Sequence, residues 1–267
     1  PKRAGLSPVL LGGEGRGVAG KEVDHNTWVI TEASWTERAA GDEDTNPHPA
    51  FLGGTLTDVV EMQGRLSFIH DRDVSMSQVD EHQNFYMQTA TGPLDDDTIH
   101  MFSTAGTDNP KITDFVMFGR DLVMFAEPDA QYTISGREKL TPDTGAIMLS
   151  GTFDTEQSMG KPVTVGSNVL YVNDVGSHAQ LNEMFLSSTQ DDVYDKRSVT
   201  AHVTKYVPDS VNAMIADDSL GIALLWERDA IDRKVYVYEY LWNDETKQQS
   251  AWATWLMPQQ VADMQLI

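Results

Sequence analysis

The chain has 267 residues, 40% of them hydrophobic and 9% aromatic, enough apolar material to bury one or two substantial cores. Forty-one acidic against 19 basic residues leave a formal charge of −22, which argues against a general nucleic-acid-binding surface built from Lys and Arg. The lack of cysteine excludes disulfides, thiolate nucleophiles and Cys-ligated metals, and no apolar run approaches the 18 residues of a membrane-spanning helix.

Residues 1–50 read as a loose amino-terminal segment ending in a joint. "GRGVAG" (15–20) fits G-x-G-x-x-G after the apolar "PVLL", but no amphipathic helix follows to present a helix N-terminus, so a surface loop is expected. "TWVITEA" has strand character. In "GDEDTNPHPAF" (41–51), Asp42, Asp44 and Asn46 alternate as at the start of an EF-hand. Pro47 then stands where that loop needs Gly, and Gly53 where it needs Glu. The expectation is a turn, with Asn and Asp accepting backbone hydrogen bonds and the prolines stiffening entry into a strand near residue 56. The start without Met and the stop inside the apolar "VADMQLI" suggest a piece of a longer chain.

From residue 51 to 267 tight turns recur roughly every 50 residues, the range of propeller blades: "QGR" (63–65), "GRD" (119–121), "GSN" (166–168) and "DDS" (217–219). Each is followed by an apolar strand ("LSFI", "LVMFA", "VLYV", "IALLW"), a polar turn and a third strand ("VSMS", "QYTIS", "AQLNEMF", "VYVYEY"). Alternation places Val74 with Met76 and Tyr132 with Ile134; in "VYVYEY" it puts three tyrosines on one face and Val235, Val237 and Glu239 on the other, as in a half-buried strand. The predicted fold is all-β: an irregular β-propeller-like array of antiparallel meander blades with few short helices. About four blades lie in 51–267, and segments outside the chain complete the ring. Helices are expected at "SVTAHVTKYVP" (198–208), where Val199, His202, Val203 and Tyr206 share a face, and at "VDEHQNFYM" (79–87).

Chemistry-bearing clusters are sparse. "IHDRD" (69–73) pairs His and Asp but lies between two strands, as solvated turns do. Asp95, Asp96 and Asp97 form a carboxylate run of the kind a glycosidase or metal site uses, with a hydrated turn as the plainer reading. His202 reads as a core histidine, and Trp252 and Trp255 in "AWATW" as core filling. No catalytic, cofactor-binding or metal-binding residue is assigned.

The segment from Trp35 to Phe85, "WTERAAGDEDTNPHPAFLGGTLTDVVEMQGRLSFIHDRDVSMSQVDEHQNF", resembles the tail tubular protein B family, the tail nozzle of short-tailed bacteriophages. Its features follow in order: a tryptophan, a glycine-acidic run, the "TNP-x-P-x-F" joint, an Arg-Leu pair opening a strand, a "V-x-x-S" strand and an "NF" pair. "DAQYTISG" (129–136), "TAHVTKYVPDSV" (200–211) and "KQQSAWATW" (247–255) extend the resemblance, whereas "VVEMQGR" departs from the family's aromatic pair and Arg-Asn-Arg. The resemblance implies a structural virion tail protein without enzymatic activity or cofactor. It would form a hexameric ring, built around a β-propeller, that continues the DNA channel beneath the portal and adaptor rings. Such a ring holds tail fibres or spikes, retains packaged DNA and conducts it at ejection without sequence-specific binding. A propeller glycoside hydrolase acting on surface polysaccharide and a ligand-binding propeller are the alternatives. Mutual repulsion of acidic copies places Arg120, Arg137, Lys205 and Arg228 as expected partners across copy interfaces.

Overall fold

The computed structural model describes residues 7–9, 18–24, 27–102, 111–127, 130–145, 147–149, 159–187, 194–243 and 246–266. Their regular structure is all β, in antiparallel sheets, and no helix occurs among the described residues. The chain divides into two compact units, Pro1–Ser103 with Glu138–Ala146, and Thr104–Arg137 with Ile147–Ile267.

The first unit holds two sheets. Strands β1 (Ser7–Val9), β2 (Val18–Asp24) and β3 (Thr27–Glu32) form a three-stranded meander. Strands β4 (Leu56–Met62), β5 (Arg65–His70), β6 (Asp73–Met76) and β7 (Ile99–Phe102) form a four-stranded one. The β4–β5 turn puts Gln63 and Gly64 both at positive φ (52° and 73°), the two-residue geometry whose twist matches antiparallel strands. Rings of Phe51, Phe68 and Phe85 pack at centroid distances of 4.8–5.1 Å, with Trp35 at 5.9 Å from Phe68. Aromatics from the joint, β5 and the loop after β6 thus build one core, each buried ring contributing about 2–3 kcal/mol.

The second unit holds three four-stranded meanders. They comprise β8 (Lys111–Phe118), β9 (Asp121–Glu127), β10 (Ala130–Ile134) and β11 (Met148–Leu149); then β12 (Val163–Val165), β13 (Asn168–Asp174), β14 (Ala179–Leu186) and β15 (Tyr194–Ser198); then β16 (Ala213–Asp217), β17 (Ile222–Trp226), β18 (Lys234–Asn243) and β19 (Thr246–Leu256). The middle sheet is buried on both faces, and strand alternation explains how. Val169, Tyr171 and Met184 meet Val116, Val123 and Phe125 of the preceding sheet, while Leu170, Val172 and Leu181 meet Ala223, Leu225 and Tyr238 of the following one. The far face of the last sheet, with Leu224, Trp226, Val235 and Val237, is covered by Met257, Val261, Met264 and Leu266. The first strands converge: β12 lies against both β8 and β16, and Thr164 Oγ1 donates to the Met117 carbonyl at 2.8 Å.

Two expectations are corrected. At 198–208 and 79–87 the chain makes tight turns instead of helices. Val199 N–H donates to Leu181 O and Ala179 N–H to Val207 O, so both ends of the first segment extend the edge of β14. Between them turns close from Val203 to Thr200 and from Tyr206 to Val203, with Lys205 at φ 67°, and His202 is exposed instead of buried in the core. Its β-branched residues gain nothing from a helix that would break these sheet bonds. In the second segment Asn84 N–H donates to Glu81 O and Gln78 N–H to Asn84 O, which pins a loop and buries Phe85. The third strands β6 and β10 are buried on both faces, Ser75, Gln131 and Thr133 included.

Candidate functional site at the sheet seams

Within the second unit, each seam between stacked sheets carries a buried carboxylate at the rim of a cavity. The larger cavity, about 610 Å³, lies between the last two sheets and is lined by Asn168, Glu183, Phe185, Arg197, Asp218 and Trp242 among others. Register brings its charges together: β14 pairs with β15 so that Glu183 stands opposite Arg197. Glu183 Oε2 accepts from Arg197 Nε and from Lys247 Nζ, both at 2.7 Å, and Oε1 accepts from Asn168 Nδ2 at 2.7 Å. Lys247 also donates to the Tyr238 hydroxyl at 3.0 Å, and Trp242 has Arg197 at 4.5 Å and Lys247 at 4.7 Å from its ring centroid. Burial alone would raise the Glu183 carboxyl, but its bonds to Arg197 and Lys247 outweigh that and hold it below the ordinary value. A carboxylate kept ionised by two cations is a poor proton donor, so this constellation suits a latch between sheets and not a glycosidase acid.

The preceding seam repeats the device around a cavity of about 340 Å³. Asp121 follows the "GR" turn and is 4% exposed. Its Oδ1 accepts from Ser135 Oγ and Gly136 N at 3.1 Å, while Oδ2 accepts from the Tyr194 hydroxyl and pairs with Arg137 Nε at 3.4 Å. Burial, reinforced by the hydrogen bond to Asp121, pushes the Tyr194 phenol up. Arg137 is therefore engaged within the chain, whereas Arg120, Lys205 and Arg228 have exposed side chains. These latches escape a reading of sequence because their members lie up to 73 positions apart; the available signal is that Glu183 is the one charged residue of the "AQLNEMF" strand.

In the first unit the acidic stretch folds as a joint. Asp42 Oδ1 accepts from Asp44 N, Thr45 N and Thr45 Oγ1, closing an Asx-turn, and these bonds lower its pKa. Asn46 is 2% exposed: its amide donates to Ala40 O at 2.8 Å and Met87 O at 3.0 Å, and accepts from Met87 N at 3.0 Å. No cluster of His, Asp or Glu able to hold a metal occurs among the described residues. Arg65, fully buried, forks onto the carbonyls of Ser77, Asp95, Asp97 and Leu140. Asp97 is likewise buried, not hydrated: it accepts from Gln88 N at 2.9 Å and Leu94 N at 2.8 Å, which fixes the loop Arg65 holds. Asp95 is exposed and pairs with Lys139 at 3.3 Å.

"IHDRD" contributes a polar column across three strands. Ser75 Oγ lies 3.1 Å from both His70 Nε2 and His100 Nδ1, with Asp73 at 3.9 Å from His100 Nε2. Burial lowers the His70 pKa, so that imidazole stays neutral at neutral pH. Ser75 is 3% exposed, which leaves no room for a substrate at its hydroxyl. Trp252 packs on Tyr238 at 5.1 Å as expected, but Trp255 is 44% exposed. "GRGVAG" includes positions outside the described residues.

The features of the nozzle resemblance are therefore parts of a scaffold: Trp35, Phe51, Phe68 and Phe85 share one core, and Asn46 and Arg65 tie the loops around it. Comparison with known proteins agrees. Tail tubular protein gp12 of Escherichia phage T7 is 26% identical over 223 residues, which are 83% of this chain and 27% of that protein. The chain thus spans about a quarter of that relative's length. Among solved structures, the Nup170 NTD-Nup53 complex of Chaetomium thermophilum matches at 12% identity over 73% of this chain and 28% of that one, with a TM-score of 0.43. Hsv2p of Kluyveromyces lactis matches at 10% identity over 98% and 87%, with a TM-score of 0.41. Likenesses this distant carry no argument about the fold. The model of the family described as bacteriophage nozzle protein matches residues 21–267, so the chain belongs to the bacteriophage nozzle protein family, as a structural protein of the virion tail.

Proposed function

We propose that this chain is the part of a tail nozzle that builds a β-propeller ring wall around the path of the DNA. Residues 1–50 serve as the lead-in and joint, and 51–267 supply about four blades of a propeller completed by segments outside this chain. Six copies form a ring below the adaptor, support the fibres or spikes, retain the packaged genome and conduct it during ejection. The observation that carries this reading is the stacking in the second unit: three meanders packed face to face with their first strands β8, β12 and β16 side by side, as the inner strands of blades are. The charge of −22 supports it as well, since an acidic or neutral wall lets a polyanion slide where a basic wall would hold it. Arg120, Lys205 and Arg228 are the exposed cations assigned to contacts between copies.

Cryo-EM of intact virions, with the tail averaged under six-fold symmetry, tests the proposal. This sequence should build into a ring of six beneath the adaptor. Density that has no place for the chain in such a ring refutes it.

A further inference from the structure

Each four-stranded sheet finishes on an outer strand with a single neighbour: β7, β11, β15 or β19. Such edges present unpaired backbone groups, and proteins blunt them by shortness, charge, proline or a bulge. Among the described residues β7 has four residues and β11 two, while β15 is blunted by Asp195, Lys196 and Arg197 in succession. β19 is different. It runs for 11 residues, with a regular ladder from Lys234↔Leu256 to Leu241↔Gln249 and the bulge beyond that stretch at Leu241/Trp242. Its one charged residue, Lys247, is turned inward onto Glu183 and Tyr238. From Gln248 to Met257 the sequence holds no charge and no proline. Ala251, Ala253 and Thr254 are exposed, as are Trp255 at 44% and Leu256 at 67%.

The charge of the whole chain says what fits there. Copies that each carry −22 repel, so they meet at least cost where neither side presents a charge. A foreign partner drawn by the acidic surface would bring Lys and Arg, for which this edge has no acids. We propose that the outer edge of β19 is the surface through which the chain pairs with a strand of a second copy of itself, by backbone hydrogen bonds between the copies. The proposal rests on the nozzle reading only in requiring more than one copy.

Sedimentation velocity of the purified chain over a range of concentrations tests it. The wild type should associate. Ala251→Lys combined with Ala253→Lys, which gives β19 the kind of charge that blunts β15, should raise the dissociation constant at least tenfold while leaving unchanged the urea midpoint measured at concentrations where the wild type is monomeric. Hydrogen exchange on the wild type supplies a check independent of any variant, since amides in 248–256 should gain protection as concentration rises. A wild type that stays monomeric throughout, a double variant that associates as tightly as the wild type, or exchange in 248–256 that ignores concentration overturns the proposal. The two readings fail differently: a six-membered ring with solvent along β19 overturns the edge and keeps the ring, whereas association through β19 that closes at two copies keeps the edge and overturns the ring.

Discussion

Replacing Glu183 by Gln removes the charge at the centre of a seam while preserving shape. The carboxylate side chain is 5% exposed, Lys247 is 18% exposed and Arg197 is 44% exposed, so the two ion pairs do not weigh equally. A hydrogen bond to a charged, mostly buried partner is worth about 2 kcal/mol, which describes Lys247. Arg197, nearly half in water, is discounted to about 0.5–1 kcal/mol. The Gln carbonyl still accepts from one cation and recovers about 1 kcal/mol, leaving a net loss of about 2 kcal/mol. With an m-value of about 2 kcal/mol/M, the urea midpoint followed by Trp fluorescence should fall by about 1 M at neutral pH. The pH dependence has a definite sign. Because the folded-state pKa of Glu183 is depressed, its contribution is complete above the ordinary value of 4.5 and is lost as pH falls through the lower folded-state value. The gap between wild type and Glu183→Gln should therefore close in acid. A neutral-pH loss below about 0.5 kcal/mol, or a gap that widens in acid, would refute the latch.

Arg65→Lys keeps the charge but loses the fork onto four carbonyls, and should destabilise the first unit by about 3 kcal/mol, read by urea unfolding. Asn46→Ala strands Ala40 O, Met87 O and Met87 N, costing about 2–4 kcal/mol and accelerating exchange of the Met87 amide. Gly221 sits at φ 61° with the Tyr240 carbonyl where a Cβ would go, so Gly221→Ala should cost about 2 kcal/mol in thermal unfolding. Burial pushes the phenols of Tyr171, Tyr194 and Tyr240 well above the usual value of 10.0, so in alkaline titration three of the eight tyrosines should stay un-ionised until the chain unfolds.

The hairpins were legible because their turns carry a local chemical requirement. Gly64, Gly119 and Gly166 take positive φ at the predicted turns and Gly221 does so two residues past "DDS", and the first, second and third strands follow from there. Of the four fourth strands only the last was legible, in the strand-like "AWATW" of β19. "IHMF", two residues of β11 and the charged "YDKRS" lie at sheet edges, where one neighbour defines the strand and no alternation marks it. Burial was misjudged for a related reason: polar residues inside stacked sheets stay buried when they pair with each other, as Asn182 Nδ2 does with Asn173 Oδ1. The seam latches depend on register and on sheet packing, neither of which a linear pattern encodes.

The detour at Glu138–Ala146 has a consequence for the order of folding. These residues belong to the first unit, yet they interrupt the sheet of β8–β11 in the second. On a chain leaving the ribosome, β8, β9 and β10 can pair as soon as they emerge, because all their contacts are close in sequence. β11 is made only after the detour, so this sheet stays open on that side while the chain is being extended. The two later sheets are drawn from uninterrupted stretches and wait for nothing but their own synthesis.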